Sequence, residues 1–169
     1  TQLSQILSRT EVLCGHSIAD DIVHLASTGA ALKEGWVTGE KLLDSLLLAR
    51  MVDENDLSYE LEHSLLSFTN TEPWKHETQP LLEKTNDMGQ VPADLRSRRC
   101  RLDAWSSRLV AEHYYEKLRD RRALVTFTHR IASLLSRVNL AGAIVDLEAF
   151  GRIGSALESD LLTNRDILT

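Results

Sequence analysis

The sequence is poor in the residues that mark several other classes of protein. Its 2 cysteines, Cys14 and Cys100, are too few for a disulfide framework and form no Cys-x-x-Cys pair. We therefore predict two separate reduced thiols, which favours an intracellular and in particular a cytoplasmic location. The sequence shows no basic-then-apolar leader. Because it begins at Thr1, we expect a processed chain or a piece of a larger protein.

Long apolar runs are also missing. No stretch approaches the roughly 18–20 apolar residues that a membrane-spanning helix needs, so no membrane partner is predicted. Phosphate-binding glycine loops and Gly-x-Ser-x-Gly elbows are absent too. These gaps remove the common sequence signals for nucleotide-binding enzymes and serine hydrolases.

Helical spacing dominates the rest of the sequence. Only 3 prolines occur, and 43% of the 169 residues are hydrophobic, enough for one domain with a core. We predict an all-α fold, a single-domain helical bundle of six or seven helices that spans residues 1–169. The predicted helices cover about 3–14, a second one from Ser17, 38–51, 53–68, 92–139 with a turn near Asp120, and 143–162.

The clearest helical pattern lies near the C-terminal end. Apolar residues there follow each other at steps of three and four, the spacing of a packed helix seam. We predict that this seam faces the core: Leu124, Phe127, Ile131, Leu134 and Val138. Leu57, Leu61 and Leu65 are predicted to be buried in the same way, and Trp105 is placed on the packed side of the helix after Pro92.

Charge is distributed unevenly along the sequence. Residues 1–91 carry 15 acids and 6 bases, whereas residues 92–131 carry 5 acids and 10 bases. Opposite charges favour contact between these two parts inside one fold. At their junction, residues 69–91 form a polar inter-helix segment, which we expect to be the most mobile or partner-facing part of the chain.

Partner binding is predicted on this segment and on the helix that follows it. The segment offers apolar groups on a polar stretch, and the run LRSRRCR offers four arginines, which bind carboxylates bidentately. The predicted contact residues are Trp74, Met88, Arg96, Arg98, Arg99 and Arg101. They favour a protein with an acidic surface over nucleic acid, because the interleaved aromatic residues of single-strand binders are missing. The alternative is that Trp74 packs on the bundle and the arginines pair with acids of residues 1–91.

Two Arg–His pairs resemble those of the helical HEPN ribonucleases. A step of seven residues rotates by about 700° on a helix, so Arg122 and His129 share a face, whereas a step of five separates Arg108 from His113. Because Arg122 and His129 lie opposite the predicted seam, we predict a solvated face there rather than a catalytic pair. His113 is expected to be a structural histidine at the border of the core.

Metal ligation is weighed at two acid–histidine pairs. Asp21 with His24, and Glu60 with His63, have the spacing found in carboxylate di-metal bundles, but the additional lone glutamates are not evident. We predict solvated helix faces at both pairs. No metal, cofactor or catalytic residue is predicted anywhere in the sequence.

Two short runs resemble the argininosuccinate lyase and fumarase superfamily. TNDMGQVPADLR, residues 85–96, is similar to that family's Asn-Asp…Gln-Val-Ala-x-Asp-x-Arg stretch, and VTFTH, residues 125–129, is similar to the start of its next core helix. The resemblance implies an all-α enzyme that eliminates fumarate with a serine on a mobile loop. The family's Thr-His-x-Gln and Ser-Ser-x-Met-Pro motifs are not found here.

Together these patterns predict a helical protein–protein interaction or regulatory module that acts through helix surfaces. The alternative is a helical enzyme, either a degenerate lyase-like protein or an Arg–His nuclease. In an enzyme, we expect His113, His129 and Asn86 to converge in one cleft with an arginine.

Overall fold

The computed structural model describes residues 2–142, 146, 148–149 and 151–157, and helices make up most of them. The predicted all-α fold class is confirmed, as a roughly single helical domain with one very small sheet. The α-helices are α1 Gln2–Arg9, α2 Ile18–Ser27, α3 Glu34–Val37, α4 Ser45–Val52, α5 Leu61–Leu66, α6 Gln79–Thr85, α7 Ala93–Lys117 and α8 Arg122–Ala141. Short 3-10 turns lie at Lys75–Glu77, Met88–Gln90 and Arg119–Arg121, and residues 148–149 and 151–157 are also helical.

The sequence analysis did not foresee the sheet. Strand β1, Leu13–Gly15, pairs in parallel with strand β2, Leu42–Asp44. Each strand has 3 residues, too few for an alternating pattern to be visible in the sequence. The prediction of a first helix over 3–14 is therefore wrong at its end, because α1 stops at Arg9 and Cys14 lies in β1.

Two clusters of buried apolar side chains form the core. The smaller cluster lies between α1, α2, α3 and β2 and consists of Leu7, Ile18, Ile22, Trp36 and Leu42. The larger cluster lies mainly between α4, α5 and α7 and consists of Leu48, Ala49, Leu61, Leu65, Trp74, Val110, Ala111, Tyr114, Leu118 and Val125. Among the described residues, α8 contributes a single side chain, Val125, to these two clusters.

The boundaries around α7 and α8 follow the sequence signals. Helix α7 begins directly after Pro92, and the predicted turn near Asp120 is confirmed by the 3-10 turn between α7 and α8. Helix α8 ends where Gly142 adopts a φ of 68°, a left-handed value that glycine reaches without strain. The two cysteines are unpaired thiols, as predicted.

Two predictions of buried apolar residues need correction here. Residues 53–60 are not helical, so Leu57 is 98% exposed, whereas Leu61 and Leu65 in α5 are buried as predicted. Trp105 is 47% exposed, because α7 turns other residues, including Tyr114, toward the core.

The last predicted helix, 143–162, falls partly outside the described residues. Its glycines at 151 and 154 are described, and both are exposed. A Cβ added at either would meet no atom within 4 Å, so neither glycine lies against another helix. No helix within the described ranges has the length and apolar character needed to cross a membrane.

Candidate functional site

The candidate site is the outward face of α8. Its large apolar side chains are between 43% and 60% exposed. They are called the α8 apolar face below: Leu124, Phe127, Ile131, Leu134, Leu135 and Val138. Five of these six residues are the seam predicted to face the core. That prediction is wrong in direction, because the helix turns its other side inward.

Small and polar groups occupy the inward face of α8. His129 is 1% exposed, and Ser133 and Ser136 are buried as well. The Ser133 hydroxyl donates a hydrogen bond to the backbone oxygen of Trp36 at 3.2 Å, and that of Ser136 donates to the backbone oxygen of Ala132 at 2.9 Å. Because a buried polar group with a partner avoids most of its desolvation cost, this face can be buried although it is not apolar.

His129 fixes α8 to the end of β2. Its Nε2 accepts a hydrogen bond from the backbone N–H of Asp44 at 2.8 Å, which places the proton on Nδ1, 2.8 Å from the Val125 backbone oxygen. The prediction that His129 lies on a solvated face is therefore wrong. Arg122, its predicted companion on that face, places its guanidinium 3.2 Å from the centre of the Tyr115 ring.

Asp44 is the point where three elements meet. Its buried carboxylate caps the start of α4 by accepting the backbone N–H groups of Leu46 and Leu47 at 2.9 and 3.3 Å. It also accepts the backbone N–H groups of Ser17 and Ile18, at 3.1 and 3.0 Å, where α2 begins. Since its own N–H binds His129, Asp44 links α2, α4 and α8.

A glycine lets α8 approach the N-terminal half closely. Gly39 has a φ of +81°, and a Cβ at this position would lie 2.5 Å from the backbone oxygen of His129. Any side chain there would have to move α8. Apart from the Val125 side chain, the inward face of α8 is thus held by backbone contact and hydrogen bonds rather than by apolar packing.

The α8 apolar face is bordered by basic residues. Helix α8 contains Arg122, Arg130 and Arg137 and no aspartate or glutamate. Arg130 forms an ion pair with Glu40, and Arg137 is exposed. The surface therefore combines an apolar stripe with positive charge, which complements an apolar partner that carries acidic residues.

A polar cavity of about 410 Å³ beside β1 and α7 is a second place to consider. Burial raises the pKa of the Cys14 thiol in its wall to about 11, which makes it a poor nucleophile at neutral pH. Two ionisable groups next to it are paired: Arg99 donates to the Thr78 hydroxyl at 2.6 Å, and Asp103 accepts from the Trp74 indole at 2.8 Å.

A serine–histidine contact borders the same cavity. The Nδ1 of His16 lies 2.9 Å from the Oγ of Ser45, and burial lowers the pKa of His16. This is the spacing of a nucleophile and its base. However, Ser45 is fully buried and its hydroxyl also lies 3.2 Å from the backbone oxygen of Gly15, so no substrate can reach it.

The predicted partner-binding residues are spread over α7 and the segment before it. Trp74 is 6% exposed, so the expected exposed anchor is wrong and the ring packs on the bundle. Arg98 pairs with Glu77 at 2.8 Å, and Arg96 lies within 3.3 Å of the Met88 backbone oxygen. Met88 and Arg101 are exposed, and Arg99 is partly buried. That this surface binds a partner stays a prediction.

The residues of the enzyme alternatives lie apart. His113 stacks on Phe68 with ring centres 3.8 Å apart, consistent with the predicted structural histidine. Asn86 is exposed at the C-terminal end of α6, and His129 is buried on the inward face of α8. Arg108 pairs with Glu112 rather than with His113. The expected convergence of His113, His129 and Asn86 is absent from the part of the chain that the structure describes.

The acid–histidine pairs do not assemble either. His63 lies 3.2 Å from Asp56, a residue the sequence analysis did not pair with it. Within the described ranges, no three side chains of histidine, cysteine, aspartate or glutamate stand close enough together to hold a metal ion.

Sequence reasoning found the residues of the α8 apolar face but not their direction. The missed signal is the second stripe on the same helix, in which His129, Ser133 and Ser136 recur at steps of four and three. Two parallel stripes on one helix, one apolar and one of small polar groups, indicate that each face of the helix has its own contacts.

Comparison with known proteins adds no further constraint, since no family model, curated protein or solved structure matches this chain.

Proposed function

We propose that this protein is a helical protein–protein interaction module, and that it binds an amphipathic helix of another protein on the α8 apolar face. The observation that carries the proposal is the exposure of six large apolar side chains, each 43–60%, along one side of a 20-residue helix. Contiguous apolar patches of several hundred Å² are uncommon on monomeric proteins and mark interaction sites when they occur.

The energetic scale supports a binding role. Complete burial of one such side chain stabilises by about 1.5–3 kcal/mol, so covering the exposed half of six contributes roughly 5–9 kcal/mol before association costs. Those costs absorb a large share of this gain. The face is therefore suited to a reversible complex, whose affinity depends on how well the partner fits.

The shape and charge of the face define the partner. Steps of three and four residues present knobs that fit the grooves of another helix. The arginines along α8 favour a partner whose apolar stripe is flanked by aspartate or glutamate. An acidic partner was also expected from the sequence, although on a different surface.

Site-specific photo-crosslinking on the full-length chain tests this proposal. A photoreactive amino acid replaces Phe127 in one variant and Leu57, a solitary apolar residue that is 98% exposed, in the matched control. In cells, the variant with the photoreactive group at position 127 should give one reproducible crosslinked adduct with another protein, and the variant with the group at position 57 should not. Adding Ile131→Asp to the position 127 variant should remove that adduct.

The crosslinked protein is then purified and its affinity measured directly. Phe127→Asp should weaken binding by more than about 100-fold, and Arg137→Glu should slow association in a salt-dependent way. Leu57→Asp should change neither. If the purified protein binds the Phe127→Asp variant as tightly as the unmodified chain, α8 is not the docking surface and the proposal is wrong.

A further inference from the structure

We propose that the outer side of α7 is a second docking surface, which binds an acidic segment of another protein that carries a large apolar residue among its acids. The surface is called the α7 face below and consists of Arg98, Arg101, Trp105 and Arg108. This inference goes beyond the proposed function, because the α7 face and the α8 apolar face lie on different helices and can be altered separately.

The four residues of the α7 face share one side of the helix. At about 100° per residue, Arg98, Arg101 and Arg108 lie within about 60° of Trp105 around the helix axis. At a rise of about 1.5 Å per residue, the three arginines span roughly 15 Å along the helix, and Trp105 stands between the last two. All four residues are exposed, whereas Tyr114 and the other buried residues of α7 point away from them.

Trp105 differs from the other two tryptophans of the chain. The indole N–H of Trp36 donates to the backbone oxygen of Glu11 at 3.1 Å, and that of Trp74 donates to Asp103 at 2.8 Å. Both of these rings are buried, whereas Trp105 is 47% exposed and its indole N–H has no hydrogen-bond partner among the described residues. Tryptophan and arginine are the residues that most often dominate the binding energy of protein interfaces.

The arginines of the α7 face are able to exchange their present contacts for those of a partner. Arg98 pairs with Glu77 and Arg108 pairs with Glu112, and the four side chains are between 31% and 73% exposed. Exposed ion pairs contribute little to stability, so replacing one carboxylate by another costs little. Arg101 stands between these pairs on the helix and forms no ion pair with any residue that the structure describes.

The charge of this surface favours an acidic protein segment over nucleic acid. Residues 93–108 contain five arginines and two aspartates, in a chain whose formal net charge is -6. A basic patch attracts carboxylates locally, while the acidic remainder of the chain repels a long polyanion. One tryptophan also provides no row of rings on which successive bases could stack.

The spacing of the α7 face defines the segment that fits it. Arg101 and Arg108 are separated by roughly 10 Å along α7, and an extended chain advances about 3.3 Å per residue. Two acids three positions apart in an extended segment therefore reach both arginines. A large apolar side chain between the two acids covers the ring of Trp105.

The indole signals of the three tryptophans test where such a segment binds. The peptide acetyl-EEEFEEE-amide is titrated into the isotope-labelled full-length chain, and the indole N–H signals are followed by NMR. The signal of Trp105, assigned with Trp105→Phe, should shift in a saturable manner that added salt weakens, and that of buried Trp36 should stay in place. A fixed Trp105 signal, or an equal shift with acetyl-QQQFQQQ-amide, would overturn the inference.

Matched charge variants supply the second measurement, by fluorescence anisotropy of the same peptide carrying a dye. Arg101→Glu and Trp105→Ala should each weaken binding by at least about 10-fold, as for residues at the centre of an interface. Arg119→Glu makes the same charge change at an exposed arginine beyond the end of α7, and it should weaken binding by less than about 2-fold because distant surface charges are screened. Equal losses in Arg101→Glu and Arg119→Glu would reveal general charge attraction and contradict a defined site.

Other occupants of the surface give different results. Tighter binding of an oligothymidylate than of the peptide would assign the α7 face to nucleic acid, and a Trp105 signal that shifts with protein concentration alone would assign it to a second copy of the chain. Either result would overturn the inference. Phe127→Asp should bind the peptide as tightly as the unmodified chain does. If it does not, the peptide binds on α8 and the α7 proposal fails while the proposed function stands.

Discussion

Helices α7 and α8 are neighbours of similar length that bury opposite kinds of surface. Helix α7, with 25 residues, buries Val110, Ala111 and Tyr114 against α4 and α5 and is otherwise mostly polar. Helix α8, with 20 residues, buries His129 and small polar groups and leaves its large apolar residues outside. The difference shows that an apolar stripe identifies a contact face without identifying what it contacts. In α7 the apolar stripe packs within the domain, whereas in α8 it is exposed.

The largest expected effect is a difference in the free energy of unfolding between truncations of an aromatic residue in α7 and one in α8. Tyr114→Ala should lower the free energy of unfolding by about 3–5 kcal/mol, as for a core aromatic residue. Phe127→Ala should lower it by at most about 1 kcal/mol, because its ring is 60% exposed. Urea unfolding measures both. Equal losses would mean that α8 turns its apolar face inward.

A smaller effect is expected at the polar anchor of α8. His129→Leu removes the acceptor of the Asp44 N–H group and leaves it buried without a partner, which should cost about 1–3 kcal/mol. Thr126→Leu, at an exposed position of the same helix, should change the free energy of unfolding by less than about 0.5 kcal/mol. A harmless His129→Leu would show that this hydrogen bond does not hold α8.

The close approach of α8 is tested by two glycines with similar φ angles. Gly39→Ala brings a Cβ to 2.5 Å from the His129 backbone oxygen, whereas Gly29→Ala, at a φ of +76°, meets no atom within 4 Å. Both should lose about 1–2 kcal/mol, because a side chain is strained at a left-handed backbone angle, and overpacking should add about 1–2 kcal/mol at Gly39 alone. Thermal unfolding of the two variants, compared with each other, isolates the contact with α8.

The smallest effect concerns the histidine beneath α7. Burial lowers the pKa of His16, so the unfolded chain binds more protons at this site than the folded chain as pH falls below about 6.5. The contribution of His16 to stability is therefore complete at neutral pH and declines with acidification. The loss of stability between pH 7 and 5 should be smaller in His16→Gln than in the unmodified chain. An unchanged pH dependence in His16→Gln would contradict this expectation.

Much of the fold was predictable because it depends on local signals. Pro92 at the start of α7, the turn near Asp120 and Gly142 at the end of α8 each act within a few residues. Strands of 3 residues offered no such signal. The loop around Leu57 gave no such signal either, because its acidic residues resemble the start of a helix although residues 53–60 are not helical.

The direction of α8 could not be read from its apolar period. That direction depends on partners far away in sequence, the Asp44 N–H group for His129 and the Trp36 carbonyl for Ser133. Apolar residues at steps of three and four locate a stripe on the helix, but the spacing does not say whether the stripe faces the core or the solvent. Five of the six residues of the α8 apolar face could thus be predicted from the sequence, but their exposure could not.

The distant anchoring of α8 also has a kinetic consequence. The hydrogen bonds from His129 and Ser133 to the N-terminal half join residues 85 and 97 positions apart. Contacts of such separation form late in folding, because a long loop must close first. Since α8 supplies little to the apolar clusters, we expect it to open as one unit, with its amide hydrogens exchanging together and faster than those of α4 and the buried part of α7. The helix that carries the α8 apolar face would then be the last to fold and the first to detach.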